Sequence, residues 1–404
     1  MRIRDFTAAV MVKFHTGSGR KINLPLQGIT PLSCLLYTVC MKSAIIGTGL
    51  IAHTHAKALR ECGEEAALVI GHTKKSAQSF AEEFGISRYD SELTRENIRD
   101  IDCVHICTPP SLHYEAARLC LEEGKHIICE KPLTVDPWES AELKRFTAVH
   151  DDTVSTVVFN NRFYSAVADI RRMILKKDAG ALLFACGHYF QEYDILPAPY
   201  SWRCAPEQSD SRFRSVTETG SHIIDLLEFL TGQSVEKVCA LFTSAHPERY
   251  LRNGIMYAEG SEAERITVKN EDAASLMFRM SDGTVASIVL SEISPGRSND
   301  VSIELVYDAA SFSWCSDRPY EVCTGKKGMG VSVKQNDFGG GFSTTFTDCF
   351  REAYDCMKQK RKSSVLASFA QAEHVVMVCE SIGRSARNDG VWIDVNEVAR
   401  EYES

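Results

Sequence analysis

Residues 43–52 read SAIIGTGLIA: a short apolar, strand-like run that stops on Gly47-Thr48-Gly49-Leu50-Ile51-Ala52 and opens directly into a helical pattern. G-x-G-x-x-A is weak evidence alone, but here it has the strand before it and the helix after it that dinucleotide binding requires. Gly47 permits the tight turn, Gly49 lets a pyrophosphate approach the backbone, and small Ala52 allows close helix packing. Gly47, Gly49, Leu50 and Ile51 are therefore the first candidate cofactor contacts.

Outward from this motif the pattern repeats. ALVIG (67–71), CVHIC (103–107), HIIC (126–129) and TVSTVVF (153–159) alternate with helical patterns near 50–62, 74–84, 111–123 and 137–149. Strands separated by amphipathic helices imply a parallel, doubly wound sheet, whose ligands sit beyond the carboxyl ends of its strands. The end of the second strand selects the dinucleotide. NAD enzymes place an Asp or Glu there for the ribose 2′-hydroxyl. This chain has Gly71-His72-Thr73-Lys74-Lys75 instead. With no carboxylate to repel a 2′-phosphate, Thr73 could donate to it, Lys74 or Lys75 could neutralise it, and His72 could lie against the adenine. The expected cofactor is NAD(P), with NADP favoured over NAD. If the lysines only begin a solvated helix, that preference stays open.

Composition narrows the partners. No apolar run approaches the roughly 20 residues that span a bilayer, which argues against a membrane protein. The net charge is −9 and basic residues are scattered, so the footprint of a nucleic-acid binder is missing and a small-molecule partner is expected. Fifteen cysteines show no C-x-x-C pair and no zinc-like grouping. They read as reduced thiols of a cytoplasmic protein, and no metal site is expected. Residues 1–40 lack sustained periodicity and a secretory apolar core, and are expected to be a disordered leader or a start placed upstream of the natural one, Met41.

The second half carries strand-like runs at 182–190, 235–242, 273–280, 285–293, 301–307 and 310–315, with Asp282-Gly283 as a hairpin turn, then helices near 342–360 and 367–387. In order along the chain stand His55, Thr108-Pro109-Pro110-Ser111-Leu112-His113, Glu130-Lys131-Pro132, Phe159-Asn160-Asn161-Arg162-Phe163, Glu218-Thr219-Gly220-Ser221-His222 with Asp225, and Gly296-Arg297. By this combination the sequence resembles the Gfo/Idh/MocA oxidoreductases, the family of glucose-fructose oxidoreductase, inositol dehydrogenase and many sugar dehydrogenases. The resemblance implies an α/β protein: a Rossmann NAD(P)-binding domain over 41–160, then a substrate-binding and oligomerisation domain over 161–404 built on a large open, mostly antiparallel sheet. Such a sheet needs its far face covered, so a homo-oligomer, dimer or tetramer, is expected. Carried onto this sequence, the motifs make Thr108, Pro109, His113, Glu130, Lys131, Asn160 and Arg162 further cofactor contacts.

Oxidising a secondary alcohol needs a base for the hydroxyl proton and a donor for the developing alkoxide, with the carbon held against the nicotinamide. Glu218, His222 and Asp225 share one face of a helix whose apolar stripe is Ile223, Leu226, Leu227 and Leu230. His222 suits the base, Lys131 the donor from the Rossmann side, and Glu218 the orienting group; in the family the matching lysine, acid and histidine are the catalytic set. The proton acceptor is left open between Lys131 and His222. Ser215-Val216-Thr217-Glu218 also reads as a capping box, so Glu218 either caps its helix or faces substrate. Asp225 is expected to fix helix geometry or to support a residue that touches the ligand, and His55, His105 and His126 to be packing residues or turn donors. The loop QEYDILPAPYSWRCAPEQSDSRFRS (191–215), rich in aromatics and arginine, suits closure over a polyol. Tyr189, Gln191, Trp202 and Arg203, with Lys131, Glu218 and His222, are the candidate substrate contacts. The expected activity is hydride transfer between nicotinamide and a ring CH–OH or C=O of a sugar, glycoside or inositol. Two alternatives come with the resemblance: a redox-assisted glycosidase or sugar–sugar hydride shuttle that retains its cofactor, and a dinucleotide-binding regulator.

Overall fold

The computed structural model describes residues 40–150, 152–204, 212–260, 264–336 and 341–403, and two short strands before them, Phe14–His15 (β1) and Lys21–Ile22 (β2), which pair antiparallel. The expectation of a leader over 1–40 otherwise lies outside the described residues. The segment Met1–Val39 forms a unit separate from the body Cys40–Ser404.

Within that body the first sheet is built from Lys42–Ile46 (β3), Glu65–Ile70 (β4), Arg88–Asp90 (β5), Cys103–Ile106 (β6), His126–Cys129 (β7) and Ser155–Val157 (β8). Their crossovers carry helices Leu50–Glu61 (α1), Lys74–Phe84 (α2), His113–Glu122 (α3) and Pro137–Val149 (α4). The order β8-β7-β6-β3-β4-β5 is parallel throughout. All four residues of β6 are buried, as a central strand covered on both faces demands.

After helix Ser165–Leu175 (α5) comes the second sheet. Leu182–Phe190 (β9) is its central strand, followed by the short Ala198–Pro199 (β10), helix Ser221–Thr231 (α6) and Val235–Thr243 (β11). Glu248–Arg252 (β12), Ile255–Tyr257 (β13) and Glu264–Thr267 (β14) join β10 in a separate four-stranded sheet that sequence periodicity did not announce. The large sheet continues with Ala273–Met280 (β15), Val285–Ser291 (β16), Asp300–Tyr307 (β17), Ser311–Cys315 (β18), Glu321–Lys326 (β19) and Gly330–Gln335 (β20). After helix Phe342–Gln359 (α7) come Ala367–Ser368 (β21), helix Phe369–Arg387 (α8), Ile393–Asp394 (β22) and helix Val395–Tyr402 (α9). The nine strands run β20-β19-β18-β17-β9-β16-β15-β11-β22, antiparallel except where β9 lies parallel to β16. Alternating burial in β15 shows a sheet with one packed face and one open face. Helices α5, α6 and α8 cover the packed face.

The chain then returns to its first half. Helix α7 packs on α1, and β21 adds an antiparallel edge strand to β8. A boundary at 160 therefore follows chain order, while residues beyond 340 complete the first sheet. One hydrophobic core runs through both parts, from Ile46, Ile106 and Ile127 to Leu276, Phe278 and Ile288. Continuous packing of this kind holds the carboxyl end of the parallel sheet against helix α6.

Candidate active site

The turn after β3 is shaped for a dinucleotide. Gly47 has φ +110°, and a Cβ there would stand 2.5 Å from the Cys107 carbonyl oxygen, so only glycine fits. At Gly49 a Cβ would meet nothing, which leaves the backbone open to a ligand. Helix α1 has no side-chain cap, and its first N–H groups face the space beyond the strand ends. Leu50, 89% exposed, stands clear of the protein there, and Thr108 Oγ1 is buried without a hydrogen-bond partner among the described residues. A buried orphan hydroxyl beside a glycine cradle fits a bound nucleotide.

At the end of β4, His72, Thr73, Lys74 and Lys75 are exposed as the 2′-position requires. The Thr73 hydroxyl, however, accepts from Ser76 N and caps α2. Thr73 is thus occupied by its own helix.

The Lys131–Pro132 peptide is cis, and Lys131 leaves β7 to reach across to α6. Its Nζ donates to the Glu218 carbonyl and to Glu218 Oε2, each at 3.1 Å. Arg203 Nε lies 3.2 Å from the other carboxylate oxygen. Glu218 sits in a π-helical turn, Val216–Gly220, that runs into α6, and Ser215 provides no side-chain cap. The capping-box reading is therefore corrected: the Ser215 hydroxyl donates to Glu271, and Glu218 is turned to Lys131. Wide turns of this type re-aim side chains at functional sites. Burial alone would raise the Glu218 carboxyl, but the Lys131 ammonium and Arg203 guanidinium outweigh it and hold it at about 2. His222, one turn on, is pushed down to about 3 by burial and by the Lys131 charge, against the opposing pull of Glu218. Its Nδ1 is buried and has no partner among the described residues.

Lys131, Glu218 and His222 line one cleft of about 530 Å³, together with Ile51 from the glycine-motif helix. Glu130, Asn160, Tyr189, Gln191 and Arg203 line it as well. Tyr189 Oη and Gln191 Nε2 both donate to Asn299 Oδ1, at 2.9 and 2.6 Å. The side chain of Trp202 lies outside the described residues. Two expected cofactor contacts are placed elsewhere. Arg162 is 3% exposed, paired through Nε and Nη2 with both Asp225 oxygens at 2.8 and 2.5 Å and lying over Phe229. It anchors α6, because a buried guanidinium must find a carboxylate. His113 is fully buried, with ring nitrogens on the carbonyls of Thr108 and Pro132, and props the turn that carries Lys131.

His55 and His105 are more than packing. His55 Nε2 meets Glu130 Oε1 at 3.0 Å, its Nδ1 meets His105 Nδ1 at 3.0 Å, and His105 Nε2 meets Tyr354 Oη at 2.8 Å. This buried chain fixes Glu130 from below, and neither the histidine spacing nor Tyr354 on α7 announced it. His126 Nδ1 accepts from Val154 N, 28 positions on, so it links the approaches to β7 and β8 as an acceptor and is not the turn donor expected. Sequence reasoning also missed Asp194, Glu292 and Asn299, which line the cleft from three separate elements.

A Rossmann sheet continued into an open antiparallel sheet, with a cleft between them, is the architecture of the two-domain dinucleotide-dependent oxidoreductases. Comparison with known proteins narrows this class. Residues 41–157 match the oxidoreductase family with NAD-binding Rossmann fold, and residues 167–313 match the GFO/IDH/MocA C-terminal domain, so the chain belongs to the Gfo/Idh/MocA oxidoreductases. It is 29% identical over 329 residues to levoglucosan dehydrogenase of Pseudarthrobacter phenanthrenivorans, covering 74% of this chain and 81% of that one. To glucose-6-phosphate 3-dehydrogenase of Bacillus subtilis it is 24% identical, over 69% of this chain and 75% of the relative. Among solved structures, levoglucosan dehydrogenase in complex with NADH and L-sorbose superposes with a TM-score of 0.81 at 24% identity, covering 89% of this chain and all of that chain.

Proposed function

We propose that the protein is an NAD(P)-dependent dehydrogenase that oxidises a ring hydroxyl of a sugar, glycoside or inositol, or reduces the matching ketone. The observation that carries this reading is the meeting of Lys131 with Glu218 and His222 in the cleft that Ile51 of the glycine motif also lines. Relatives named for levoglucosan and for glucose 6-phosphate support a sugar as substrate.

When bound, the nicotinamide supplies the hydride acceptor. The chain does the rest. Gly47, Gly49, Leu50, Ile51, Thr108 and Pro109 would hold the dinucleotide, together with Glu130 and Asn160. Lys131 spends two donors on Glu218, which leaves a third for the substrate oxygen. An ammonium has no lone pair, so the hydroxyl proton passes to the imidazole of His222, neutral at physiological pH. An imidazole held so low accepts a proton only if the alkoxide is stabilised first, which is the work of Lys131. Tyr189, Gln191, Trp202 and Arg203 orient the other hydroxyls.

For the dinucleotide, His72, Thr73 and Lys74 with no carboxylate at the strand end support NADP over NAD. We infer further that the uncovered face of the large sheet pairs copies of the chain, and that the enzyme is cytoplasmic.

The test is a spectrophotometric screen of sugars, glycosides and inositols with NAD and NADP in parallel, repeated with Lys131→Ala and His222→Ala. Each variant is expected to lose about 100-fold or more in kcat, with cofactor affinity changed little for His222→Ala. Wild-type turnover by both would overturn the mechanism, and a chain that binds neither dinucleotide would overturn the function. Cofactor that stays bound through purification with no net NAD(P)H release would favour the redox-assisted alternative.

A further inference from the structure

The charges around the cleft say more than the catalytic set requires. Among the described residues that line it, Lys131 and Arg203 are the only cations, and both are already committed to the Glu218 carboxylate. The opposite wall carries two further acids, Asp194 from the turn after β9 and Glu292 from the end of β16. Behind them lies Arg214, 1% exposed, whose Nε is 3.1 Å from Asp194 Oδ2 and 2.8 Å from Glu292 Oε2. Arg214 also binds Asp272, which Arg249 holds at 2.7 Å. Two buried guanidinium groups thus serve three carboxyls, and among the described residues no further cation lines the cleft. Burial, and a hydrogen bond to Asp194, push the Glu292 carboxyl well above its usual range.

We infer, on the basis of the dehydrogenase reading above, that the cleft selects an uncharged polyol over its phosphorylated or carboxylated counterpart, and that Asp194, held against Arg214 beside Glu292, is the specificity-determining hydroxyl acceptor. A neutral sugar brings several O–H donors and needs acceptors, which this wall supplies. A phosphate or carboxylate brings only acceptors with charge. It would have to desolvate against Asp194, while Arg203 is paired with Glu218 and the remaining donor of Lys131 is taken by the reacting oxygen.

The test uses the purified full chain. Binding of NADH and of NADPH, each followed by fluorescence, checks the dinucleotide reading alone. Turnover is then measured on matched pairs at constant salt: glucose with glucose 6-phosphate, galactose with galacturonate, and inositol with an inositol monophosphate. For whichever pair is used, kcat/KM is expected to favour the neutral member by about 100-fold, and Asp194→Asn to narrow that ratio. A charged member used as well as its neutral partner overturns the inference while leaving the dehydrogenase reading intact. A chain that binds NADH or NADPH but turns over no neutral member overturns it too. Failure to bind either dinucleotide instead removes the reading on which it rests. Should Asp194→Asn fail to fold because Arg214 loses a partner, the ratio measured on the parent chain still decides.

Discussion

His222 owes its properties to where α6 delivers it. An unperturbed histidine titrates near 6.5, but this one is held at about 3 by burial and the nearby Lys131 charge. Its proton-accepting form therefore persists across the whole range in which a dehydrogenase would be assayed. The kcat/KM profile for alcohol oxidation is expected to show no inflection near pH 6.5, and one that vanished in His222→Gln would contradict this environment. The same displacement affects stability. Below about 6.5 the unfolded chain protonates this histidine, while the folded chain does not until about 3. The unfolded state then binds more protons, so stability falls as pH drops through that window. Glu218 acts in the same direction lower down: its contribution is full above its unfolded value near 4.5 and is lost as pH falls towards about 2. Urea midpoints of His222→Gln measured between neutral and acid pH should decline less steeply than those of the parent.

At the scale of elements, helix α6 is aimed by one buried ion pair. Arg162, in the turn after β8, grips both oxygens of Asp225 and so ties the end of the parallel sheet to the helix that carries Glu218 and His222. Removing one partner strands the other charge in the core. Asp225→Asn is expected to cost about 3–5 kcal/mol in urea unfolding, whereas Arg162→Met combined with Asp225→Leu should cost much less than the two single changes added. A double-mutant cycle that summed to additivity would mean the pair does not couple these elements. The pair also marks the limit of what the sequence made legible. Gly47, Lys131 and His222 announce themselves because each stands in a local pattern of residue types. Arg162 does not, because a cation at a strand end can point to a ligand or into the core, and Asp225 lies 63 positions away in sequence. Asp194, Glu292 and Asn299 were invisible for a related reason. They meet only because β9 pairs with β16 on one side and β17 on the other, a register set by the whole sheet. The small sheet around β12 escaped too, since strands of three to five residues carry too little alternation to be read.

At the scale of the molecule, the unexplained feature is the outer face of the nine-stranded sheet. Leu241, Met277, Val289 and Phe184 are 58, 45, 39 and 38% exposed, and the pairings Leu241↔Ser275, Cys239↔Met277, Ser275↔Val289 and Val285↔Phe184 put them on one side. The opposite side, with Leu276, Phe278 and Ile288, is sealed by helices. A sheet face with neighbouring apolar side chains in water is costly, and the arrangement that removes it with the residues at hand is a second copy packed face to face. Light scattering on the purified chain should then give a mass that is a multiple of 45.0 kDa. Replacing Leu241 and Met277 together with glutamate should lower that mass to one chain. Ile51, Lys131, Glu218 and His222 already meet within one chain, so the dissociated variant should still bind dinucleotide. Loss of cofactor binding on dissociation would instead show that pairing across this face holds the two halves of the cleft in register. A parent chain that runs at 45.0 kDa would show that the face is left open to another partner.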